Sequence, residues 1–217
     1  MRSPGDRMIL CMVRHGQGWY RHRRPLWRPV QRTDVPTGKR EMFQLSLGDY
    51  EVCCQHAGVP DLLPQLAEHA SLFDRFDTSS PGDEVCFFSI RRRGDPWPFL
   101  VVTQRYNPSG HGFHPGALVV PETQRLFLGA GRRLLGYDLT GPARLWEDEA
   151  DVGFWFWSRY GRAVLMSAEL EIAAWTIEGQ KLWSRFADPP WEYRVEDSVV
   201  VVSDCRGTER VDLWSGK

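Results

Sequence analysis

Few residues in this chain have the type and spacing that chemistry requires. His111 and His114 offer two nitrogen ligands to a metal, but the sequence places no third or fourth ligand at a useful spacing. The five cysteines are an odd number without the paired spacing of a metal site. No serine or cysteine nucleophile sits in a glycine elbow, and no glycine-rich loop is present to hold a phosphate. We therefore predict no catalytic residue, no metal site and no cofactor.

One short motif resembles an enzyme signature. An apolar stretch, Met8 to Val13, leads directly into Arg14-His15-Gly16. This pattern resembles the signature of the histidine phosphatases of the phosphoglycerate-mutase type. That resemblance implies that His15 accepts the phosphoryl group and that Arg14 binds phosphate. The family also needs an alternating α/β pattern and a second histidine after a later strand, whereas the remaining sequence reads mainly as β-strand. A hydrolase that uses Arg14-His15-Gly16 is therefore kept as the alternative hypothesis and not as the main one.

The N-terminal 41 residues differ in composition from the remainder. Residues 1–40 contain nine arginines and one lysine against two aspartates, a charge of +8, so residues 41–217 carry −9. Four prolines and the lack of sustained periodicity predict a flexible basic arm over residues 1–41. A basic arm can bind nucleic acid, which is a further alternative function, or it can be a solvated tail.

Residues 42–116 read as β-hairpins with one helix. Phe43 to Cys54 alternates around a turn at Gly48-Asp49, which is typical of a hairpin. The apolar spacing after Pro60 predicts a helix near residues 61–76. Val85 to Ile90 and Phe99 to Arg105 then predict two further strands.

Residues 117–217 contain a short sequence motif that occurs three times. Asp138-Leu139-Thr140-Gly141 runs on to Leu145-Trp146, Thr176-Ile177-Glu178-Gly179 runs on to Leu182-Trp183, and Asp212-Leu213-Trp214-Ser215-Gly216 comes last. The glycines are 38 and 37 residues apart. Such a period indicates stacked units that cannot each bury an apolar face alone. Short strands at about ten-residue spacing predict antiparallel meanders.

The second repeat resembles the blades of quinoprotein-like (pyrroloquinoline-quinone-type) β-propellers. Ala174, Gly179 and Trp183 match the blade pattern, while Thr176 stands where that family usually has the aspartate kept at Asp138 and Asp212. The resemblance implies a tryptophan that docks on the neighbouring blade. Three such units are too few to close a ring, so we predict a mainly β fold built as a partial propeller or a stacked-sheet sandwich. Because the last unit ends after its glycine, a strand from residues 43–54 or 85–105 is expected to complete it.

Aromatic and acidic residues supply the candidate binding site. In a regular strand over Phe154-Trp155-Phe156-Trp157, the phenylalanines face one way and the tryptophans the other, so the strand is either buried on both faces or covered by a partner. Glu147-Asp148-Glu149, with Asp151, is an acidic cluster that can repel or attract a basic partner and is equally well explained as a solvated turn between units. The residues that we assign to the binding site are Trp155, Trp157, Glu169, Glu171 and Trp191.

Together these features favour a binding protein over an enzyme. We predict a non-enzymatic bacterial protein that binds another protein, as an immunity or accessory subunit of a toxin, defence or secretion system. No run approaches the eighteen apolar residues of a membrane span, and the first residues lack the pattern of a secretory signal. The expected location is therefore the cytoplasm.

Overall fold

The computed structural model describes residues 42–77, 80, 82–108 and 114–217. The Arg14-His15-Gly16 motif, the basic arm and His111 lie outside these residues. No helix within the described residues is both long enough and apolar enough to cross a membrane.

The described chain is mainly β-strand. It contains one short helix, α1, at Leu63–His69. The strands are β1 Met42–Leu47, β2 Tyr50–Gln55, β3 Leu72–Phe76, β4 Glu84–Arg92, β5 Leu100–Tyr106, β6 Gly116–Val120, β7 Arg125–Ala130, β8 Arg133–Asp138, β9 Ala143–Glu149, β10 Phe154–Tyr160, β11 Ala163–Ala168, β12 Glu171–Thr176, β13 Lys181–Phe186, β14 Glu192–Glu196, β15 Val199–Asp204 and β16 Gly207–Asp212. The prediction of a mainly β fold of antiparallel meanders is confirmed.

The strands form four sheets that follow one another along the chain. The first sheet has five strands in the order β1-β2-β4-β5-β3. The second and third are four-stranded meanders, β6-β7-β8-β9 and β10-β11-β12-β13. The fourth, β14-β15-β16, has three strands. Only the pairing of β3 with β5 is parallel among the described strands.

Three apolar clusters lie between successive sheets. Ile90 and Val102 of the first sheet pack with Leu126 and Leu135 of the second. The opposite face of the second sheet packs on the third through a cluster that includes Phe127 and Trp157. A third cluster joins Leu165 and Ala174 of the third sheet to Val200 and Val211 of the fourth. Each meander is thus covered by its neighbours, as the repeat in the sequence predicts.

One backbone hydrogen bond recurs in each of the last three sheets. The amide of Leu139 donates to the carbonyl of Gln124 at 2.8 Å, that of Ile177 to Arg162 at 3.0 Å, and that of Leu213 to Ser198 at 2.7 Å. The donor follows the acceptor by the same number of residues in all three. This shared bond shows that the three units have the same local fold.

The residue before each of these donors caps the turn that follows. The Asp138 carboxylate accepts from the amide of Thr140 at 2.8 Å, and the Asp212 carboxylate accepts from the amide of Ser215 at 2.8 Å. The Thr176 hydroxyl does the same more weakly, at 3.3 Å from the amide of Glu178. Aspartate and threonine oxygens both close such turns, which explains why threonine replaces aspartate in the second unit.

The tryptophan of each fourth strand packs on the glycine of the next sheet. A Cβ placed on Gly179 would lie 3.0 Å from Nε1 of Trp146, and one on Gly216 would lie 2.6 Å from Cγ of Trp183. The indole of Trp183 also donates to the carbonyl of Leu213 at 2.9 Å. Glycine at these two turns leaves the room that each indole ring occupies. The docking contact that the propeller resemblance implies is therefore present twice.

The helix is shorter than the sequence predicts. It ends at His69, Ala70 is already extended, and Leu72–Phe76 forms β3 instead of the last helical turns. The apolar residues Leu72, Phe73 and Phe76 fit helical spacing, and the parallel ladder with β5 overrides this local pattern. Leu72 and Phe76 then face the first cluster, where the Tyr137 hydroxyl donates to the Asp74 carboxylate at 2.9 Å.

The fourth sheet is not completed by an N-terminal strand from the described residues. Both segments predicted to fill that position pair inside the first sheet, β1 with β2 and β4 with β5. They carry buried residues on the face toward the second sheet, so the start of the stack needs them as core. The expectation that residues 43–54 or 85–105 close the last unit is wrong.

Candidate functional site

A β-bulge divides the aromatic residues of β10 between two cores. The pairing of β10 with β11 shifts between Phe154 and Phe156, so strict alternation is lost. Phe154 and Trp157 consequently lie in the same cluster, between the second and third sheets, while Trp155 packs against the cluster between the third and fourth. The predicted division of phenylalanines and tryptophans between two faces is wrong for this reason.

Trp157 is a core residue. Its side chain is 0% exposed and packs among Phe127, Phe154 and Trp175, with ring centroids 5.3–5.5 Å away. An indole enclosed in this way cannot contact a partner. The sequence allows this strand to be either buried on both faces or covered by a partner, and at Trp157 the side chain is buried within the protein.

Trp155 and Trp191 lie together between the third and fourth sheets. Their rings stack with centroids 5.4 Å apart and an angle of 13° between the ring planes. Trp191 is buried, and its indole donates to the carbonyl of Glu169 at 2.9 Å. Trp191 therefore positions the connection after β13, and its assignment to the binding site is corrected because its ring is buried. Trp155 is half-buried.

Glu171 is also largely enclosed, at 9% exposure. Its carboxylate accepts a hydrogen bond from the amide of Asp151 at 2.8 Å, across the connection between the second and third sheets. Glu169 is half-buried in the turn two residues earlier. These two residues hold adjoining connections in place at one end of the stack.

That end carries the features expected of a contact surface. In an antiparallel meander every second connection lies at the same end. The connections at the end that contains Glu169 and Glu171 are Gly131-Arg132, residues 150–153, Glu169-Leu170, residues 187–191 and Cys205-Arg206. We call these connections, together with Phe186 at the end of β13, the Phe186 face.

Two large apolar side chains are exposed on the Phe186 face. Phe186 is 52% exposed and Val152 is 41% exposed. The guanidinium of Arg206 lies over the Phe186 ring, 5.1 Å from its centroid. An exposed phenylalanine with a cation on one side presents an apolar anchor in a polar rim.

Shallow clefts flank Phe186 on both sides. One, of about 280 Å³, lies between the second and third sheets and is lined by Arg132, Asp151, Leu170 and Glu171. The other, of about 230 Å³, lies between the third and fourth sheets and is lined by Ile172, Val202, Asp204 and Thr208. Arg185 and Phe186 line both.

The charged residues of this face are mostly paired, with acid in excess. Arg132 pairs with Glu149 at 3.1 Å, Arg206 with Asp188 at 3.0 Å, and Arg185 with Glu209. Asp204 receives backbone amides of Arg206 and Gly207, and these hydrogen bonds lower the pKa of its carboxyl. The three arginines are outnumbered by the carboxylates on the face and in its clefts, which are Glu149, Asp151, Glu169, Glu171, Asp188, Asp204 and Glu209. The face is negative.

The acidic segment before this face belongs to a strand and not to a solvated turn. Glu147 and Glu149 lie in β9, where Arg133 pairs with Glu147 at 2.8 Å. Nζ of Lys181, in the third sheet, forms an ion pair with Oδ2 of Asp148 at 2.6 Å. The run therefore contributes ion pairs within and between sheets.

Val152 is held in an unfavourable backbone conformation. Its φ is +69°, in the left-handed region that β-branched residues rarely enter. Strain of this kind costs about 1–3 kcal/mol and concentrates where function needs a particular surface. Because Val152 lies within the connection that Glu171 holds, the strained residue belongs to the Phe186 face, which we take as the candidate functional site.

Replacing Val152 with glycine is expected to raise the free energy of unfolding by about 1 kcal/mol, because glycine adopts this φ without strain. Urea denaturation monitored by tryptophan fluorescence measures the change. Val152→Ala is the matched control, since alanine loses the isopropyl group yet keeps a Cβ and most of the strain. Equal stability of the glycine and alanine variants would contradict the assignment of strain.

Within the described residues, no group of three histidine, cysteine, aspartate or glutamate side chains is placed to hold a metal ion. His114, described without His111, lies beside His56 with ring centroids 5.3 Å apart. These residues supply no candidate metal centre.

No protein-family profile matches this chain, and no curated protein sequence matches it. Among solved structures it is similar to BamB from Moraxella catarrhalis, with a TM-score of 0.42 and 13% identity over 80% of this chain and 61% of that one. It is similar to HIRA(644-1017), with a TM-score of 0.43 and 9% identity over 85% of this chain and 54% of that one. Hsv2 from Kluyvelomyces marxianus matches with a TM-score of 0.27 and 13% identity over 45% of this chain and 33% of that one.

In each of these three matches the chain covers less than two thirds of the solved protein. All three TM-scores are below 0.5, so the function is inferred from the chain's own residues.

Proposed function

We propose that this protein is a non-enzymatic protein-binding module and that the Phe186 face is its contact surface. The observation that carries the proposal is that an exposed aromatic ring, a residue with a strained backbone and two clefts adjoin one another at one end of the stack. Backbone strain often occurs at functional sites, and adjoining exposed apolar side chains beside clefts are typical of a surface that contacts a partner.

The chemistry of the face indicates the kind of partner it suits. Phe186 offers an apolar anchor whose full burial contributes about 1.5–3 kcal/mol. Its flanking ion pairs are already formed, so little side-chain ordering is needed when a partner binds. The excess of carboxylates favours a partner with a basic contact surface. Within this class, the specific role that we infer is that of an immunity or accessory subunit of a toxin, defence or secretion system.

Phe186→Ala is expected to weaken partner binding about tenfold or more while changing the free energy of unfolding by less than about 0.5 kcal/mol. The partner is first isolated by affinity purification with the tagged full chain, and its affinity for each variant is then measured by calorimetry. Trp214, 42% exposed at the opposite end of the stack, provides the matched control as Trp214→Ala. If Trp214→Ala weakens binding and Phe186→Ala does not, the contact surface lies at the other end.

A further inference from the structure

The outer edge of β13 is open over its last three residues. The amide of Ala187, directly after β13, donates to the carbonyl of Leu170, directly before β12, at 3.0 Å. Because the direction of the backbone groups alternates along an antiparallel strand, the amides and carbonyls of Ser184 and Phe186 then point away from β12. Among the described strands, none pairs with β13 on that side. These groups are therefore able to hydrogen-bond to another strand.

The second sheet protects the equivalent edge with charge. The repeat that aligns the tryptophans of β9 and β13 places Glu147 and Glu149 where β13 has Ser184 and Phe186. Charged side chains along an edge strand hinder the addition of a further strand. Serine and phenylalanine carry no charge, so the outer edge of β13 is the more accessible of the two.

Ser184 and Phe186 face the cleft between the second and third sheets. In the ladder with β12, Phe186 lies opposite Glu171, and Ser184 lies opposite Ala173, which belongs to the cluster between these two sheets. Side chains that lie opposite one another in a ladder share a face of the sheet. A strand added to β13 therefore places every second side chain over the cleft of about 280 Å³ that both residues line.

This cleft holds two carboxylates without a cation among the described residues. Glu171 is 9% exposed and accepts a hydrogen bond from the amide of Asp151, but neither carboxylate pairs with a described lysine or arginine. The two arginines of the cleft, Arg132 and Arg185, pair with other carboxylates. An enclosed carboxylate without a cation is costly to keep ionised, and a cation that enters the cleft offsets this cost.

We propose that the partner contributes an extended basic segment that adds to β13 as a fifth strand of the third sheet. Its backbone pairs with Ser184 and Phe186, and a lysine or arginine side chain enters the cleft beside Asp151 and Glu171. An apolar side chain two residues along the segment lies on the same face and covers the ring of Phe186. This inference rests on the proposed function, because it states how the partner binds the Phe186 face.

Calorimetry with defined peptides tests the strand addition. The probe is a blocked six-residue peptide of alternating valine and arginine, titrated into the full chain. We expect it to bind at least about tenfold more tightly than the matching peptide of valine and glutamate. A valine–arginine peptide with every backbone amide N-methylated keeps the charge but cannot donate to the strand edge. It is expected to bind at least about tenfold more weakly than the unmethylated peptide.

Ser184→Pro tests the same edge from the side of the protein. Because the Ser184 amide points outward, proline removes no hydrogen bond to β12 but withdraws a donor from the added strand. The affinity for the valine–arginine peptide is expected to fall at least about tenfold. Ser184→Ala keeps the amide and is the matched control, which should bind like the unsubstituted chain. If tryptophan fluorescence shows that Ser184→Pro does not fold, the N-methylated peptide decides alone.

Each other result overturns the inference in a distinguishable way. Equal binding of the methylated and unmethylated peptides means that charge alone attracts the segment. Equal binding of the basic and acidic peptides means that the carboxylates of the cleft play no part. A full chain that is dimeric, and monomeric as Ser184→Pro, means that a second copy occupies the edge.

The isolated partner separates this inference from the proposed function. If Phe186→Ala weakens the affinity for the partner and Ser184→Pro does not, the Phe186 face remains the contact surface and only the strand addition is wrong. If Phe186→Ala leaves the affinity for the partner unchanged, the proposed function is contradicted whatever the peptides do.

Discussion

Replacing Gly136 with alanine is expected to lower the free energy of unfolding by about 3 kcal/mol. Gly136 lies in β8 directly opposite Trp146 of β9, and a Cβ there would overlap the indole ring. Trp146 has little freedom to move away, since it stacks on Trp175 at 5.8 Å and also packs on Phe127. Thermal and urea denaturation measure the loss, for which the melting temperature should fall by about 6–12 °C.

Gly141→Ala is the matched control for this variant. Gly141 also belongs to the repeated motif, but a Cβ there meets nothing within 4 Å and its backbone is outside the left-handed region. Alanine at this position is expected to leave stability unchanged or to raise it by up to about 1 kcal/mol, through the lower entropy of the unfolded chain. Similar losses for both variants would show that glycine acts through backbone conformation and that the indole contact is unimportant.

These glycines also explain how much of the fold the sequence predicts. Two of the three glycines in the repeated motif, Gly179 and Gly216, have positive φ and leave room for Trp146 and Trp183 to pack, and this requirement makes the repeat visible in the sequence. A packing contact that requires glycine at a regular spacing can be recognised in a single sequence. The three meanders could therefore be predicted, including the docking of tryptophan on the next sheet.

Two features of the fold, β3 in the first sheet and the bulge in β10, leave no comparable signal in the sequence. The apolar residues of Leu72–Phe76 fit helical spacing and do not alternate, and only the pairing with β5 selects the strand. The bulge in β10 is equally invisible, because one extra residue in a ladder changes the facing of Trp155 and Trp157 without changing their spacing. Both errors arise where tertiary pairing overrides a local pattern.

The candidate site could be located only in part. Glu169, Glu171 and Trp191 do lie at the end of the stack that carries the Phe186 face, but they support its connections from within. Composition draws attention to tryptophan, whereas exposure is decided by the sheets that pack above it. Phe186 is the last residue of β13, and nothing in the local sequence shows that its ring stays uncovered. The strain at Val152 is a backbone property, and a single sequence does not display it.

Replacing Trp157 with alanine is expected to destabilise the protein by about 3–5 kcal/mol, the largest effect of the substitutions considered. The ring fills the centre of the cluster between the second and third sheets, and its removal leaves a cavity lined by Phe127, Phe154 and Trp175. A loss of this size is a large part of the stability of an ordinary domain. Urea denaturation of the purified variants measures it.

Trp157→Phe separates packing from binding at the same position. The indole nitrogen of Trp157 is buried and has no hydrogen-bond partner among the described residues, so phenylalanine removes an unsatisfied donor while keeping most of the ring. We expect it to cost less than about 1.5 kcal/mol and to leave the affinity for the isolated partner unchanged. If the Trp157→Phe protein is stable but binds its partner more weakly, then Trp157 contributes to partner binding. That result would contradict the assignment of the contact surface to the Phe186 face.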